Sequence, residues 1–226
     1  MLTCKTQLAF DPGNGWAYGY SNDLLALIIE KVEGKPFGEY FKTEVLEPLE
    51  MHHTGFQVQD VSRLTSIHAP GPDGKLRVIE SNQHSRYVNG KNYPRGSGGL
   101  ASTADDYMHV CRMLLNEGLY NGKRLLKPES VKLMMQNVVP AEHLPMKVAG
   151  NEMTGQGYGL GLGIVMEGSP FGAEGDVYWP GAVFTYFFVN PEEKTIAIFM
   201  TQLYDMSRMD LIWEFHDLAT KALEED

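Results

Sequence analysis

The stretch Tyr20-Ser21-Asn22 stands at the start of an apolar, helix-like segment and offers three side chains that can exchange hydrogen bonds or protons. A phenol or a hydroxyl beside a cleft can take part in acid–base or nucleophilic catalysis, and a carboxamide can bind a substrate amide. The same stretch has a structural interpretation, because Ser21 or Asn22 is a typical N-cap residue. Both roles can hold at once.

Other chemistries receive less support from the residue pattern. The seven histidines show no spacing such as His-x-x-x-His, so no metal site is predicted. The stretch GSGGLAS precedes a helix but lacks the lysine of a P-loop, and a tight turn is favoured over a phosphate site. With 29 acidic residues, a carboxylate pair of the glycosidase type stays open, although no spacing singles one out. No cofactor is predicted.

Hydrophobic periodicity predicts the helices that must position these residues. The first runs from Asn22 to Val32 and ends at Gly34, and its apolar stripe consists of Leu24, Leu25, Leu27, Ile28, Ile29 and Val32. Four further helices are predicted from their start signals. Two begin at prolines, one after Pro36 and one at Pro128. The third runs from about Ala104 to Asn116 with Ser102 or Thr103 as its cap, and the fourth follows a capping Ser207.

The strands concentrate in the last third of the chain. Phe184–Val189 and Thr195–Thr201, joined by NPEEK, predict a hairpin, and YGLGLGIVM is a glycine-rich strand candidate. Helices followed by strands predict an α+β fold with an antiparallel sheet flanked by helices. We expect one domain over 1–226, with a polar excursion at 57–94 and the C-terminal strands and helix at 177–226.

Composition limits the partners and the location. The net charge of −10 offers no basic patch, which argues against nucleic acid, and no apolar run is long enough for a membrane span. The two cysteines, Cys4 and Cys111, are too few for a disulfide framework. Met1–Lys5 lacks the apolar region of a signal peptide, so the sequence as it stands indicates the cytoplasm.

The stretch around Tyr20 resembles the serine β-lactamase and penicillin-binding-protein superfamily. The match is nearest to its class C branch, with the related esterases and D-aminopeptidase-like peptidases. The similarity rests on several motifs across nearly the whole chain, which are Tyr20-Ser21-Asn22 with its following helix, Pro48-Leu49-Glu50-Met51 with Thr54 and Phe56, Gly98-Gly99-Leu100 with the stretch 102–107, Tyr158-Gly159-Leu160-Gly161, and Phe187–Pro191.

The resemblance implies three catalytic motifs. In the family a Ser-x-x-Lys supplies the nucleophile, the tyrosine of Tyr-x-Asn relays the proton, and a strand motif borders the oxyanion region. It therefore implies catalytic roles for Tyr20 and Asn22. In the esterase branch the third motif is often Trp-x-Gly, and Trp179-Pro180-Gly181 fits it, although the proline removes a backbone donor. Trp179, Gly181 and Ser21 are then the substrate-binding candidates, and Trp179 and Tyr20 are expected to line one cleft.

The first motif is missing, because no serine in the chain has a lysine three residues later. By the resemblance, the chain is a partial β-lactamase/transpeptidase-like fold that lacks the N-terminal strands and helix. The leading hypothesis is a hydrolase relative for a small-molecule ester or amide, with weak or no acyl transfer. The alternatives are a non-catalytic ligand-binding or assembly module, or a rewired hydrolase: a glycosidase using carboxylates, or one with Ser21 as nucleophile. Relatives of the family are often exported, so the location stays open.

We also expect self-association. If terminal strands and a covering helix are absent, the C-terminal hairpin is left with an open edge, which invites pairing with another chain. The apolar residues expected on an uncovered face of this hairpin are Phe187, Val189, Ile196, Ile198 and Met200. A two-fold homodimer through this sheet surface is the simplest outcome.

Overall fold

The computed structural model describes residues 7–148 and 150–224. The α-helices within this part are α1 (Ser21–Glu33), α2 (Phe37–Phe41), α3 (Ala104–Leu115), α4 (Pro128–Met134) and α5 (Asp210–Glu224). The strands are β1 (Ile67–Pro70), β2 (Leu76–Glu80), β3 (Leu119–Tyr120), β4 (Lys123–Arg124), β5 (Met146–Val148), β6 (Asn151–Met153), β7 (Gln156–Tyr158), β8 (Gly163–Val165), β9 (Val177–Pro180), β10 (Tyr186–Asn190) and β11 (Thr195–Phe199).

The central element is a five-stranded antiparallel sheet in the order β11-β10-β9-β8-β7. Its strands follow one another in sequence, so each pairs with its chain neighbour. The remaining strands form three two-stranded hairpins, β1-β2, β3-β4 and β5-β6. The predicted α+β class with an antiparallel sheet flanked by helices is confirmed. One domain over 1–226 stays a prediction.

Helix α3 covers one face of the sheet. Cys111 and Leu114 of α3 belong to the same buried cluster as Phe187 and Val189 of β10, and Ile196 of β11 packs against it. Alternation along β10 sends every second side chain to this face. This face of β10, which the sequence predicted to be uncovered, is therefore buried, and of the predicted apolar residues only Met200 is exposed, at 40%.

Helix α5 covers the opposite face. Tyr186 and Phe188 of β10 pack with Ile212 of α5, and Ala197 and Phe199 of β11 lie against the same cluster. The prediction of a bare sheet face is thus wrong, because α3 and α5 sandwich the hairpin from both sides. The edge of β11 is different: no strand of the described residues pairs with its outer side.

Helices α1 and α2 form a small unit beside the sheet. Ala26 of α1 packs with Phe37 and Phe56, and α1 ends at Gly34, whose left-handed φ of 69° lets its N–H bond to the carbonyl of Glu30. The helix buries little else. A row of large apolar side chains on α1 stays exposed, namely Leu24, Leu25, Ile28 and Val32.

Several local predictions need correction. Tyr20 occupies the N-cap of α1 without a side-chain bond, so neither Ser21 nor Asn22 caps this helix. Ser207 lies in a 3₁₀ turn capped by Asp205, and α5 begins after it. The glycine-rich stretch forms the β7-β8 hairpin, since Gly161 with its φ of 88° turns the chain. The cap that the sequence did identify is Thr103, which accepts from the N–H of Asp106.

The polar excursion at 57–94 contains the β1-β2 hairpin. It is attached to the segment after β11 by backbone bonds from His68 N–H to the Gln202 carbonyl and from Tyr204 N–H to the His68 carbonyl. Cys111 lies fully buried on α3, whereas Cys4 and the residues weighed for a signal peptide lie outside the described part. Within that part, no helix combines the length and apolar character needed to cross a bilayer.

Candidate functional site

A pocket of about 300 Å³ opens at the start of α1. Both Ser21 and Asn22 line it. The other lining residues come from the segment before α1 and from β7, and they are Phe10, Gly15, Trp16, Ala17, Tyr18, Gly19 and Tyr158. Tyr20 is not among them: it is 69% exposed on the surface at the N-cap of α1. The structure thus brings two of the three residues of the motif to one pocket.

The strand motif reaches this region through Trp179. Its indole N–H donates a hydrogen bond of 3.2 Å to the hydroxyl of Tyr18, which precedes the Tyr20 motif by two residues. The two rings lie 5.0 Å apart between centroids. Residues that are 161 positions apart in the chain therefore meet, and the contact is made by Tyr18. A shared cleft of Tyr20 and Trp179 stays a prediction.

An aromatic cluster surrounds this contact. The ring of Tyr158 lies 5.0 Å from Trp179 and 5.4 Å from Trp16, and 6.4 Å from Tyr18. These are edge-to-face arrangements, the geometry that aromatic pairs prefer. The cluster joins β7, β9 and the segment before α1, so it fixes the sheet against the start of the helix.

Gly181 lies in a tight turn after β9. Its N–H donates to the carbonyl of Thr185 at 2.7 Å, and a Cβ at Gly181 would displace the Oγ1 of Thr185 from its present position. Because successive backbone groups of a strand point to opposite sides, the nitrogen of Pro180 faces the β8 side. The β8-β9 pairing ends at Tyr178, so the proline breaks no pairing of this sheet.

The segment 92–101 supports the first turn of α1. The N–H of Ser97 donates to Oδ1 of Asp23 at 2.8 Å. Gly96 lies so close to the carbonyl of Asn22 that a Cβ there would overlap it. Behind it, the buried amide of Asn92 donates to the carbonyls of Phe56 and Gly99, at 2.7 and 2.6 Å. The position of Asn22 is therefore set by tertiary contacts.

The electrostatics of the pocket favour neutral groups. Burial raises the pKa of Tyr158 to about 12, and the neighbouring phenol of Tyr18 acts in the same direction. The Tyr158 hydroxyl therefore stays protonated at neutral pH and cannot serve there as a general base. Among the described residues no group of three or more His, Cys, Asp or Glu could hold a metal ion.

A larger cleft of about 850 Å³ is lined in part by Gly38 and Glu39 of α2. Two of its lining residues are bonded to the buried carboxylate of Asp106, which accepts from the backbone N–H of His53 at 2.7 Å and from the hydroxyl of Thr54 at 2.8 Å. Ser102 completes this chain through a 2.7 Å bond with Thr54. These contacts join the turn after Met51 to the start of α3. They give a structural role to Thr54 and to the stretch 102–107, which belong to two of the motifs found in the sequence.

Sequence reasoning missed three of the residues that line the smaller pocket: Trp16, Tyr18 and Tyr158. Tyr158 stood in the YGLGL motif, and the other two stood in the GWAYGYSN stretch. The available signal was the pair Trp16 and Tyr18 just before the Tyr20-Ser21-Asn22 motif, since amphipathic aromatic side chains are common at binding surfaces.

The Beta-lactamase family model matches residues 3–221. The protein Rv1367c of Mycobacterium tuberculosis (strain H37Rv) is 30% identical over 202 residues, which are 86% of this chain and 50% of that protein. Esterase EstB of Burkholderia gladioli is 25% identical over 205 residues, which cover 81% of this chain and 48% of EstB. The chain spans about half the length of the curated relatives it matches.

Solved structures share the fold. EstCE1, described as a hydrolase with promiscuous acyltransferase activity, superposes with a TM-score of 0.71 at 24% identity, covering 90% of this chain and 55% of EstCE1. The curated relatives include esterases, acyltransferases and a carboxypeptidase. The shared chemistry of these relatives is transfer of an acyl group.

Proposed function

Because this chain belongs to the beta-lactamase family, we propose that it carries one half of an acyl-transfer site for small-molecule esters or amides. The observation that carries this proposal is the hydrogen bond between Trp179 and Tyr18. It joins the Trp-Pro-Gly strand motif to the segment that leads into the Tyr-Ser-Asn motif. Two motifs that lie far apart in the chain thus converge beside one pocket.

The proposed roles follow the motif positions. Tyr20 is the proton relay, and its exposure leaves the phenol accessible to a substrate or to another chain segment. Asn22 binds the carbonyl or amide of the substrate from the pocket wall. Trp179 and Gly181 border the substrate at the end of β9, and Ser21 contributes a hydroxyl to the pocket lining.

Acyl transfer requires a nucleophile with an adjacent base, and these groups act as a unit. Since no serine of this chain precedes a lysine by three positions, the chain is expected to show weak or no turnover by itself. A segment bearing Ser-x-x-Lys has to meet the start of α1 for the site to be complete.

The exposed row on α1 supports this requirement. Leu24, Leu25, Ile28 and Val32 are between 46 and 75% exposed, and their spacing places them on one side of the helix. Ser21 lies on the same side, one turn before Leu24 and Leu25. An apolar helix face of this kind is normally packed against another element. We propose that the Ser-x-x-Lys segment packs here.

A ligand-binding module is the second candidate, favoured by the pocket combined with the missing nucleophile. The glycosidase alternative gains no support from the pocket, because none of its lining residues is a carboxylate. Four carboxylates line the larger cleft, and three of them have local partners: Glu30 accepts from the N–H of Phe37, Asp60 from Ser62, and Glu47 pairs with Lys42. The fourth is Glu39.

The test is labelling with a fluorophosphonate together with hydrolysis of a short-chain nitrophenyl ester and a chromogenic cephalosporin. The chain alone should give no labelled serine and background hydrolysis. A burst of acyl-enzyme would contradict the proposal, and a label on Ser21 would favour the rewired hydrolase.

A fusion to the half of Rv1367c that has no counterpart in this chain tests whether a completed site turns over. We expect it to hydrolyse the ester and to lose at least about 100-fold in rate on Tyr20→Phe, the scale of a lost acid–base group. The matched control Tyr93→Phe, at another exposed tyrosine, should leave the rate unchanged. Equal rates for the two variants would remove Tyr20 from the mechanism.

A further inference from the structure

The pocket at the start of α1 combines an aromatic wall with an uncharged lining. Trp16, Tyr18 and Tyr158 line it, and Trp179 lies behind them in ring contact with both tyrosines. None of the nine lining residues carries an ionisable carboxylate, ammonium, guanidinium or imidazole. An ion would find no opposite charge in this lining, and a cation would meet only the faces of the aromatic rings, so a neutral ligand suits the pocket best.

The polar end of the pocket is Asn22. Within the described residues its carboxamide has no hydrogen-bond partner, while its backbone is fixed by the contact with Gly96. The hydroxyl of Tyr158 also has no partner there, and its neutral form is favoured by burial. A ligand with one carbonyl and one ring could therefore bond to the carboxamide while its ring meets the aromatic wall.

We propose that this pocket selects esters or amides whose acyl group is neutral and aromatic, with Trp16, Tyr18 and Tyr158 as the specificity-determining wall and Asn22 as the partner of the carbonyl. This deepens the proposed function by naming its substrate class. The volume of about 300 Å³ holds one ring with a short polar end and lies at the small end of ligand pockets. The ring of the ligand takes an edge-to-face or offset position against the wall.

Binding can be measured without catalysis, because two of the three tryptophans belong to the cluster. Trp213 belongs to α5 and stacks on Phe171 away from this pocket, so Trp213→Phe leaves Trp16 and Trp179 as the emitters. The full chain with this change is titrated with phenylacetamide, with acetamide and with the cation phenyltrimethylammonium. We expect saturable quenching by phenylacetamide at a concentration at least about 10-fold below that needed for acetamide, the value of one good aromatic contact.

Variants of the wall test the assignment. Tyr18→Ala and Tyr158→Ala should each weaken phenylacetamide binding by about 3- to 10-fold, whereas Tyr204→Ala, at an exposed tyrosine outside the pocket, should not. Tyr158→Leu keeps an apolar side chain in the half-buried position and serves if Tyr158→Ala fails to fold. Asn22→Leu should weaken the binding of both amides.

Each outcome of these titrations either supports or overturns the proposal. Equal binding of acetamide and phenylacetamide, tighter binding of the cation, no quenching, or wall variants that match the Tyr204→Ala control would each overturn the proposal. Failure of the proposed function is distinct: there, phenylacetamide would bind as expected while the fusion protein hydrolysed no ester. Hydrolysis by the fusion with no preference for aromatic acyl groups would overturn this inference and leave the proposed function intact.

Discussion

Nε2 of His216 lies 2.8 Å from Oδ2 of Asp176, and both side chains are almost completely buried between α5 and the sheet. The other ring nitrogen, Nδ1, lies 2.6 Å from the hydroxyl of Tyr186. Asn190 donates to the second oxygen of Asp176 at 2.6 Å. This connected set of polar groups holds α5 against the sheet, and the ring of Phe188 stacks on His216.

Removing this histidine should destabilise the fold strongly. For His216→Ala we expect the free energy of unfolding to fall by about 3–5 kcal/mol, because a buried partner of Asp176 is lost. The matched control is His53→Ala, since His53 also lies near an aspartate, Asp106, but its ring is more than half exposed. There we expect less than about 1 kcal/mol. Urea unfolding of both variants measures this, and equal effects would contradict the assignment of the buried set.

The contact between Gly96 and Asn22 predicts a second effect on stability. Gly96→Ala places a methyl group against the Asn22 carbonyl and should cost about 1–3 kcal/mol, as overpacking does. Gly19→Ala is the control, because a Cβ there meets open space and should change stability by less than about 0.5 kcal/mol. Denaturant unfolding distinguishes the two, and a neutral Gly96→Ala would show that the segment 92–101 does not approach α1 so closely.

Alkaline pH should weaken the fold through Tyr158. Its pKa of about 12 in the folded chain lies above the value near 10 of an unfolded tyrosine, so the neutral phenol is favoured in the folded state. This contribution is fully present below about pH 10 and is lost as the pH rises towards about 12. Urea midpoints across this window should fall less in Tyr158→Phe than in the parent chain. In the control Tyr93→Phe, at an exposed tyrosine, the urea midpoint should fall as much as it does in the parent chain.

Self-association through the surface of the C-terminal hairpin stays a prediction of the sequence, and the structure narrows the surfaces that could mediate it. Both faces of the hairpin are covered, so the remaining candidate surfaces are the open edge of β11 and the exposed row on α1. Light scattering should give twice the chain mass of 25.3 kDa. The dimer should persist in Ile28→Lys/Val32→Lys if the edge mediates it. Dissociation of that variant would assign the contact to α1, and a monomeric parent chain would rule out both.

The sequence by itself determined the elements that depend on local pattern. The apolar period of α1, its end at Gly34, the Thr103 cap and the β10-β11 hairpin each follow from residues close in the chain, and all are present. The α+β class followed from their order. Local rules failed at the start of this helix: Ser21 and Asn22 could cap α1, yet Tyr20 occupies that position.

Only the tertiary structure decided how the site is assembled. The contact of Trp179 with Tyr18 joins residues separated by most of the chain, and no periodicity reports on such a distance. The hairpin face that looked bare in the sequence is buried, because α3 lies earlier in the chain and α5 later, and packing onto the same strands depends on where the chain folds back. Local pattern determines which side chains share an apolar face of a helix or strand, whereas the path of the chain determines which of these faces pack together.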